Sequence, residues 1–420
     1  MPEFDGQRST LPRERVAPKS AMSDGGRRIF SLIVIAMVDT MSAVYVHVGL
    51  PKTGTTHLQD RLWRNRDIAL RSAGLLYPGN AIDDHFHAAV HLQPERYLDW
   101  VDPAHASVWP TMIAQMRGWS GNSLLSHELF ATATAEHVER LVADLSFADE
   151  IHVVATVRDL ARQLPSVWQE NVKNQRRATL DEFVARVAAH VDDPTLSVGE
   201  EGPFWEFQDY LTILKRWEKF VPARRIHVVT VPSKGCGGTT LWERFLAALH
   251  VDPAQLTKTV PTSNASLSAA QSEFLRQLND RLQPDAIEWA RYERVVKGQL
   301  IGDILFAEPV GRPAELAQPQ RNWAAQHSAS MIARLAAAGY DIVGSLDDLT
   351  VSTSASVDGD AETTDADVVG VALDTIAELV KRAPMPRVRP RWETKARNVV
   401  RRGQRKAIAA LGRDRPKSAL

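Results

Sequence analysis

A single cysteine, Cys236, stands among the 420 residues. One thiol cannot close an intramolecular disulfide or build a thiolate metal cluster, so a disulfide scaffold and a multi-thiolate metal cluster are both excluded. Long hydrophobic runs are missing too. The longest apolar candidate, Ile29 to Val38, ends at Asp39, about half of the roughly 20 residues that a membrane-spanning helix needs. Net charge is nearly absent: 50 Lys and Arg against 51 Asp and Glu leave −1 at pH 7, which argues against a chain that binds nucleic acid as a whole. Together these absences fit a cytoplasmic protein. What remains, 44% hydrophobic and 24% charged residues, is the composition of a globular protein able to bury a substantial core.

The most informative stretch runs from Val44 to Gln59, Val-Tyr-Val-His-Val-Gly-Leu-Pro-Lys-Thr-Gly-Thr-Thr-His-Leu-Gln. Alternating apolar residues predict a strand over 44–48. Gly49, Pro51 and Gly54 make a turn, and Thr55 opens an apolar-periodic helix through Leu58, Leu62 and Ile68. A strand, loop and helix N-terminus in this order leave backbone N–H groups without helix carbonyls at the positive end of the helix dipole, where an anion can bind. In a nucleoside-triphosphate loop the second glycine is followed by Lys and then Ser or Thr. Here Gly49 and Gly54 keep the glycine spacing, Thr55 takes the lysine's place, and Lys52 sits inside the loop.

Pro51-Lys52-Thr53-Gly54-Thr55-Thr56 closely resembles the 5'-phosphosulfate loop of sulfotransferases that use 3'-phosphoadenosine 5'-phosphosulfate. That resemblance implies that Lys52 neutralises charge on the bridging oxygen as the sulfuryl group leaves, while Thr55, Thr56 and the loop N–H groups hold the 5'-phosphate and sulfonate oxygens. A second stretch fits the same family. The β-branched run Ile151 to Val157 predicts a buried parallel strand, Arg158 follows at once, and Ser166 comes eight residues later. In sulfotransferases an Arg and Ser so spaced bind the donor's 3'-phosphate, and a guanidinium suits this through paired N–H groups. The family often has Pro two residues after the Arg. Here Leu160 occupies that position, with Pro165 further on. A glycine-rich loop, Ser233 to Gly238, offers Lys234 as another donor contact by the same resemblance.

Transfer to a hydroxyl needs a base. Asp84, His85 and His87 lie roughly thirty residues after Lys52, where related enzymes place one, and His87 or His85 is favoured because imidazole titrates near neutrality. His127 and Glu128 close the strand predicted over Asn122–Ser126 and form the second cluster. His85, His87 and His91 could suggest a metal, but carboxylate and cysteine support is thin, and no metal is expected. His47 reads as a packed strand residue.

Residues 1–40, rich in Arg, Pro, Gly and Ser, are expected to be disordered or a mis-assigned extension, with Met37 or Met41 as alternative starts. Helices are expected over 134–145, 180–191, 204–220, 240–249, 267–282 and 323–338, a strand over 225–231, and a closing turn and short strand over 339–349. Residues 41–350 then form one α/β domain: a three-layer α/β/α sandwich around a parallel sheet, the P-loop-related sulfotransferase fold. A linker (351–367), a short helix (368–382) and a basic tail follow. From Lys381 to Lys417 fourteen Lys or Arg face only Glu393 and Asp414, a balance suited to the inner membrane face or to an acidic surface. The reading is sulfuryl transfer to a hydroxyl or amine of a small molecule, glycan or glycolipid. Its rivals are a P-loop kinase or nucleoside-triphosphatase and a non-catalytic nucleotide-binding protein.

Overall fold

The computed structural model describes residues 42–196, 205–233, 238–260, 266–307, 311–354, 363–383 and 399–405. Six strands, β1 (Ala43–His47), β2 (Leu75–Leu76), β3 (Asn122–Ser126), β4 (Glu150–Val157), β5 (Ile226–Thr230) and β6 (Asp341–Val343), form one sheet in the order β2-β3-β1-β4-β5-β6. Every pairing is parallel. All five residues of β1 are buried, as a central strand covered on both faces requires.

Helices cover both faces. On one, Tyr45, Leu124, Val154 and Val229 pack under Leu58 and Leu62 of α1 (Thr55–Ser72) and under Phe245 and Leu246 of a later helix, Leu241–Ala248. This is the three-layer α/β/α architecture that the alternating strand and helix patterns imply. Because all strands run the same way, the ends of β1, β3 and β4 fall on one edge. The chain leaves β1 toward β2 and β3 and later crosses back to β4, so the loop after β1 sits where the direction of winding reverses, the usual place for a ligand crevice.

The remaining helices are α2 (Asp84–Leu92), α3 (Val108–Arg117), α4 (Ala135–Asp144), α5 (Leu160–Lys173), α6 (Leu180–Asp192), α7 (Tyr210–Trp217), α8 (Leu241–Ala248), α9 (Ala269–Arg281), α10 (Trp289–Tyr292, continuing as a wider helix over Glu293–Leu305), α11 (Gln318–Ala337) and α12 (Asp365–Arg382). Three expectations change. The helix expected over 204–220 is a short turn, Trp205–Phe207, followed by α7, because the Asp209 carboxylate accepts from Thr212 N–H and starts a new helix there. Residues 81–119, where no helix was expected, contain α2 and α3. The linker expected to reach 367 ends sooner: α12 begins at Asp365, closed by a capping box between Thr364 and Asp367.

The stretch expected as one domain divides between two compact units. One takes the chain to Val167, Val184–Thr262 and Gln318–Ser354, and it holds the whole sheet. The other takes Trp168–Phe183, Ser263–Ala317 and the chain from Ala355. Buried Asn279 anchors this second unit, donating to the carbonyls of Val172 (2.8 Å) and Arg176 (3.0 Å) and accepting from Tyr292 Oη (2.7 Å). Among the described residues no helix is long and apolar enough to cross a membrane. Residues 1–41, Lys234 and most of the basic tail lie outside the described residues.

Candidate active site

The loop after β1 is held by its carbonyls. Gln163 and Gln208 side-chain amides donate to Pro51 O, and Arg158 Nη1 donates to Lys52 O at 3.1 Å. The Thr53 hydroxyl donates to Leu50 O at 2.7 Å. The first helical bond of α1 runs from Leu58 N–H to Gly54 O, 3.1 Å, so the N–H groups of Thr55, Thr56 and His57 have no helix carbonyl to meet. Gly54 is the N-cap and offers no side-chain cap, and the first turn of α1 contains no acidic residue. By contrast, α4, α8, α9 and α12 close with capping boxes. With its carbonyls bound from one side, this loop can present its N–H groups to an anion.

The backbone here is unusual. Lys52 adopts φ +67°, the left-handed region that side chains disfavour. Gly49 and Gly54 have φ +62° and +97°, and a Cβ at Gly54 would sit 2.6 Å from Leu241 Cδ2. At Gly49 a Cβ would meet Thr55 Cγ2 at 2.9 Å and Glu128 Cα at 3.1 Å. The end of β3 is therefore packed directly on the loop.

Below the loop lies a buried hydrogen-bond chain. Thr53 Oγ1 meets Thr156 Oγ1 at 2.6 Å, Thr156 Oγ1 meets His47 Nε2 at 3.3 Å, and His47 Nδ1 meets Ser126 Oγ at 2.8 Å. Since Thr53 gives its proton to Leu50 O, Thr156 must donate to Thr53, and His47 Nε2–H to Thr156. His47 Nδ1 is then the acceptor of the Ser126 proton. Complete burial holds the His47 imidazole neutral, its pKa lowered to about 3.

This geometry revises several roles expected from the sequence. Thr53 spends both its hydroxyl and its N–H on Leu50 O, so it shapes the loop rather than meeting a ligand. Pro51 has no N–H and its carbonyl is occupied; it too is a shaping residue. His85 is removed as a base: Nε2 bonds Pro78 O (3.0 Å), Nδ1 accepts from Ser126 N–H (3.2 Å), and the ring stacks on Tyr77 at 4.2 Å. Burial lowers its pKa to about 3. His87, two residues along α2, stacks on His105 at 3.5 Å and lies 3.7 Å from Asp83. No hydrogen bond or ring contact joins it to the loop among the described residues.

Other expected residues do gather at the loop. Arg158 follows β4 and reaches Lys52 O, while its buried Nε has no hydrogen-bond partner. Burial, with Arg162 adding repulsion, lowers its pKa to about 10; the guanidinium stays charged and lacks a full set of acceptors. Ser166 is half-buried on α5, one turn beyond Arg162 and Gln163. Thr55 is buried and Thr56 exposed at the start of α1. Glu128 packs against Gly49, and its buried Oε2 has no partner. Beside it, His127 accepts from Leu129 N–H at 3.1 Å through Nδ1. Burial lowers the His127 pKa, and the Glu128 charge opposes that shift.

Gln163, Gln208 and Thr156 escaped the sequence reading. Gln163 had a signal, since it follows Arg158 by five residues on the first turns of α5. Gln208 comes from a remote turn and had none.

No family model matches the chain, and no curated protein matches it. Among solved structures, the chain is similar to the crystal structure of a sulfotransferase from Alicyclobacillus acidocaldarius, at 14% identity and a TM-score of 0.32, over 60% of this chain and 95% of that one.

Proposed function

We propose that this chain is a sulfotransferase that moves a sulfuryl group from 3'-phosphoadenosine 5'-phosphosulfate to a hydroxyl. The observation that carries the reading is the incomplete bonding of Arg158: a half-buried, charged guanidinium fixes the carbonyl of Lys52, and its buried Nε–H has no acceptor. An unmet buried N–H is costly, and the 3'-phosphate of the sulfuryl donor seated against Arg158 and Ser166 would meet it, with the 5'-phosphosulfate on the N–H groups of Thr55 and Thr56.

In the transfer, the acceptor oxygen attacks sulfur as the bond from sulfur to the bridging oxygen breaks. The electron pair of that bond stays on the 5'-phosphate of the departing 3'-phosphoadenosine 5'-phosphate. Lys52 neutralises this charge. The hydroxyl proton passes to Glu128, whose carboxylate has an unpartnered oxygen beside the loop. A kinase reading is weaker, because Thr55 follows Gly54 where a triphosphate loop needs Lys.

The test is calorimetric titration with 3'-phosphoadenosine 5'-phosphate and with ATP plus magnesium, on wild type and Arg158→Ala. The bisphosphate is expected to bind without metal, and Arg158→Ala to weaken it by roughly ten- to a hundredfold, the worth of one charged hydrogen-bonding group. Preference for ATP with magnesium, or indifference to Arg158, would overturn the reading in favour of a kinase.

A further inference from the structure

A cleft of about 360 Å³ is lined by Arg96, Tyr97, Asp99, Trp100 and Phe207, a size suited to a small ligand. Its walls connect to the loop through intermediate residues on two flanks. Glu206 and Phe207 belong to the same short turn as Gln208, which bonds Pro51 O. On the other flank Trp100 touches Phe86 at 5.9 Å, and Phe86 touches His127 at 5.5 Å.

Its floor is aromatic and fixed. Trp100 stacks on Tyr97 at 5.3 Å with planes 9° apart, and Tyr97 Oη is tied to Thr132 Oγ1 at 2.7 Å. Trp100 stays 53% exposed, so part of its aromatic surface is open to a ligand in the cleft. The rim is polar and equally fixed. Arg96 makes a two-pronged ion pair with Glu206, at 3.0 and 2.8 Å, and its guanidinium lies 5.8 Å from the rings of both Tyr97 and Phe207. Asp99 adds an exposed carboxylate.

We propose that this cleft is the acceptor subsite and that it takes a neutral saccharide, an inference that rests on the sulfuryl-transfer reading above. A pyranose ring has an apolar C–H face that fits an indole plane, and a rim of hydroxyls that both donate and accept, matching the Asp99 carboxylate and the Arg96 guanidinium. A flat phenol would leave most of that polar rim unmet. An acidic glycan would face the Asp99 carboxylate while the Arg96 guanidinium is already neutralised by Glu206, which disfavours it.

The test uses the full chain, with maltose and cellobiose as probes and saturation-transfer NMR as the readout, in the presence of 3'-phosphoadenosine 5'-phosphate whose own affinity is measured by calorimetry on the same samples. Wild type is expected to bind a disaccharide. Trp100→Ala should weaken that binding by roughly tenfold or more, and Asp99→Asn should weaken it too, with bisphosphate affinity unchanged in both. If the bisphosphate binds but neither sugar does, if Trp100→Ala leaves sugar binding intact, or if 2-naphthol binds in preference, the saccharide assignment falls and sulfuryl transfer stands. If a sugar binds and the bisphosphate does not, the sulfuryl-transfer reading falls, and the acceptor role of the cleft falls with it.

Discussion

Lys52 brings two properties to one position: an ammonium and a left-handed backbone, φ +67°. For a residue with a Cβ that conformation costs roughly 1–2 kcal/mol, and here it is maintained by Arg158 on the Lys52 carbonyl and by the two glutamines on the carbonyl before it. The properties can be separated. Lys52→Gly should keep the loop shape, leave stability unchanged or raise it by up to about 1 kcal/mol, and lower turnover by roughly a hundredfold or more if the ammonium stabilises the leaving oxygen. Urea midpoints measured beside sulfuryl-transfer rates check both halves. A large loss of stability would mean that the ammonium, rather than the backbone, organises the loop. The lysine was legible in the sequence because its neighbours in the chain are its neighbours in the loop. The left-handed backbone was not, since side chains from α5 and from residue 208 impose it.

At the scale of elements, α1 and α8 meet at Gly54, where a Cβ would lie 2.6 Å from Leu241 Cδ2. Gly54→Ala should therefore destabilise the chain by about 1–3 kcal/mol, from positive φ and overlap together. Adding Leu241→Ala should recover only the overlap, as a comparison of single and double variants in urea would show. Full recovery would mean that the backbone at Gly54 can relax. β1, β4 and β5 could be read because each is a contiguous β-branched or alternating run, whereas β2, only Leu75–Leu76, was too short to read. The helix α2 could not: its histidines supply no clear apolar period, and those at 85 and 87 looked like chemistry where His85 in fact fastens β3 to the turn at Pro78. The break at Asp209 was hidden because the aromatic stripe on either side of it keeps helical spacing.

For the molecule as a whole, the buried imidazoles of His47 and His85 set an acid limit. Both have folded pKa values lowered to about 3, against about 6.5 in the unfolded chain. Below pH 6.5 the unfolded chain takes up protons that the folded one refuses, so this stability is full above about pH 6.5 and is lost as pH falls toward 3. Each histidine contributes a loss of about 1.4 kcal/mol per pH unit, or about 4 kcal/mol for the pair at pH 5. Urea titrations at pH 7.5 and pH 5 measure it, and a midpoint constant across that range would contradict neutral burial. The chain that contains His47 has a further consequence for how such a sequence can diverge. Ser126, His47, Thr156 and Thr53 pass hydrogen bonds in one direction, from β3 through β1 and β4 to Leu50 O, and no member can reverse its polarity alone. Across descendants of this sequence, these four positions should therefore be inherited or exchanged as a block, even though they lie far apart in the chain and only Thr53 belongs to the loop.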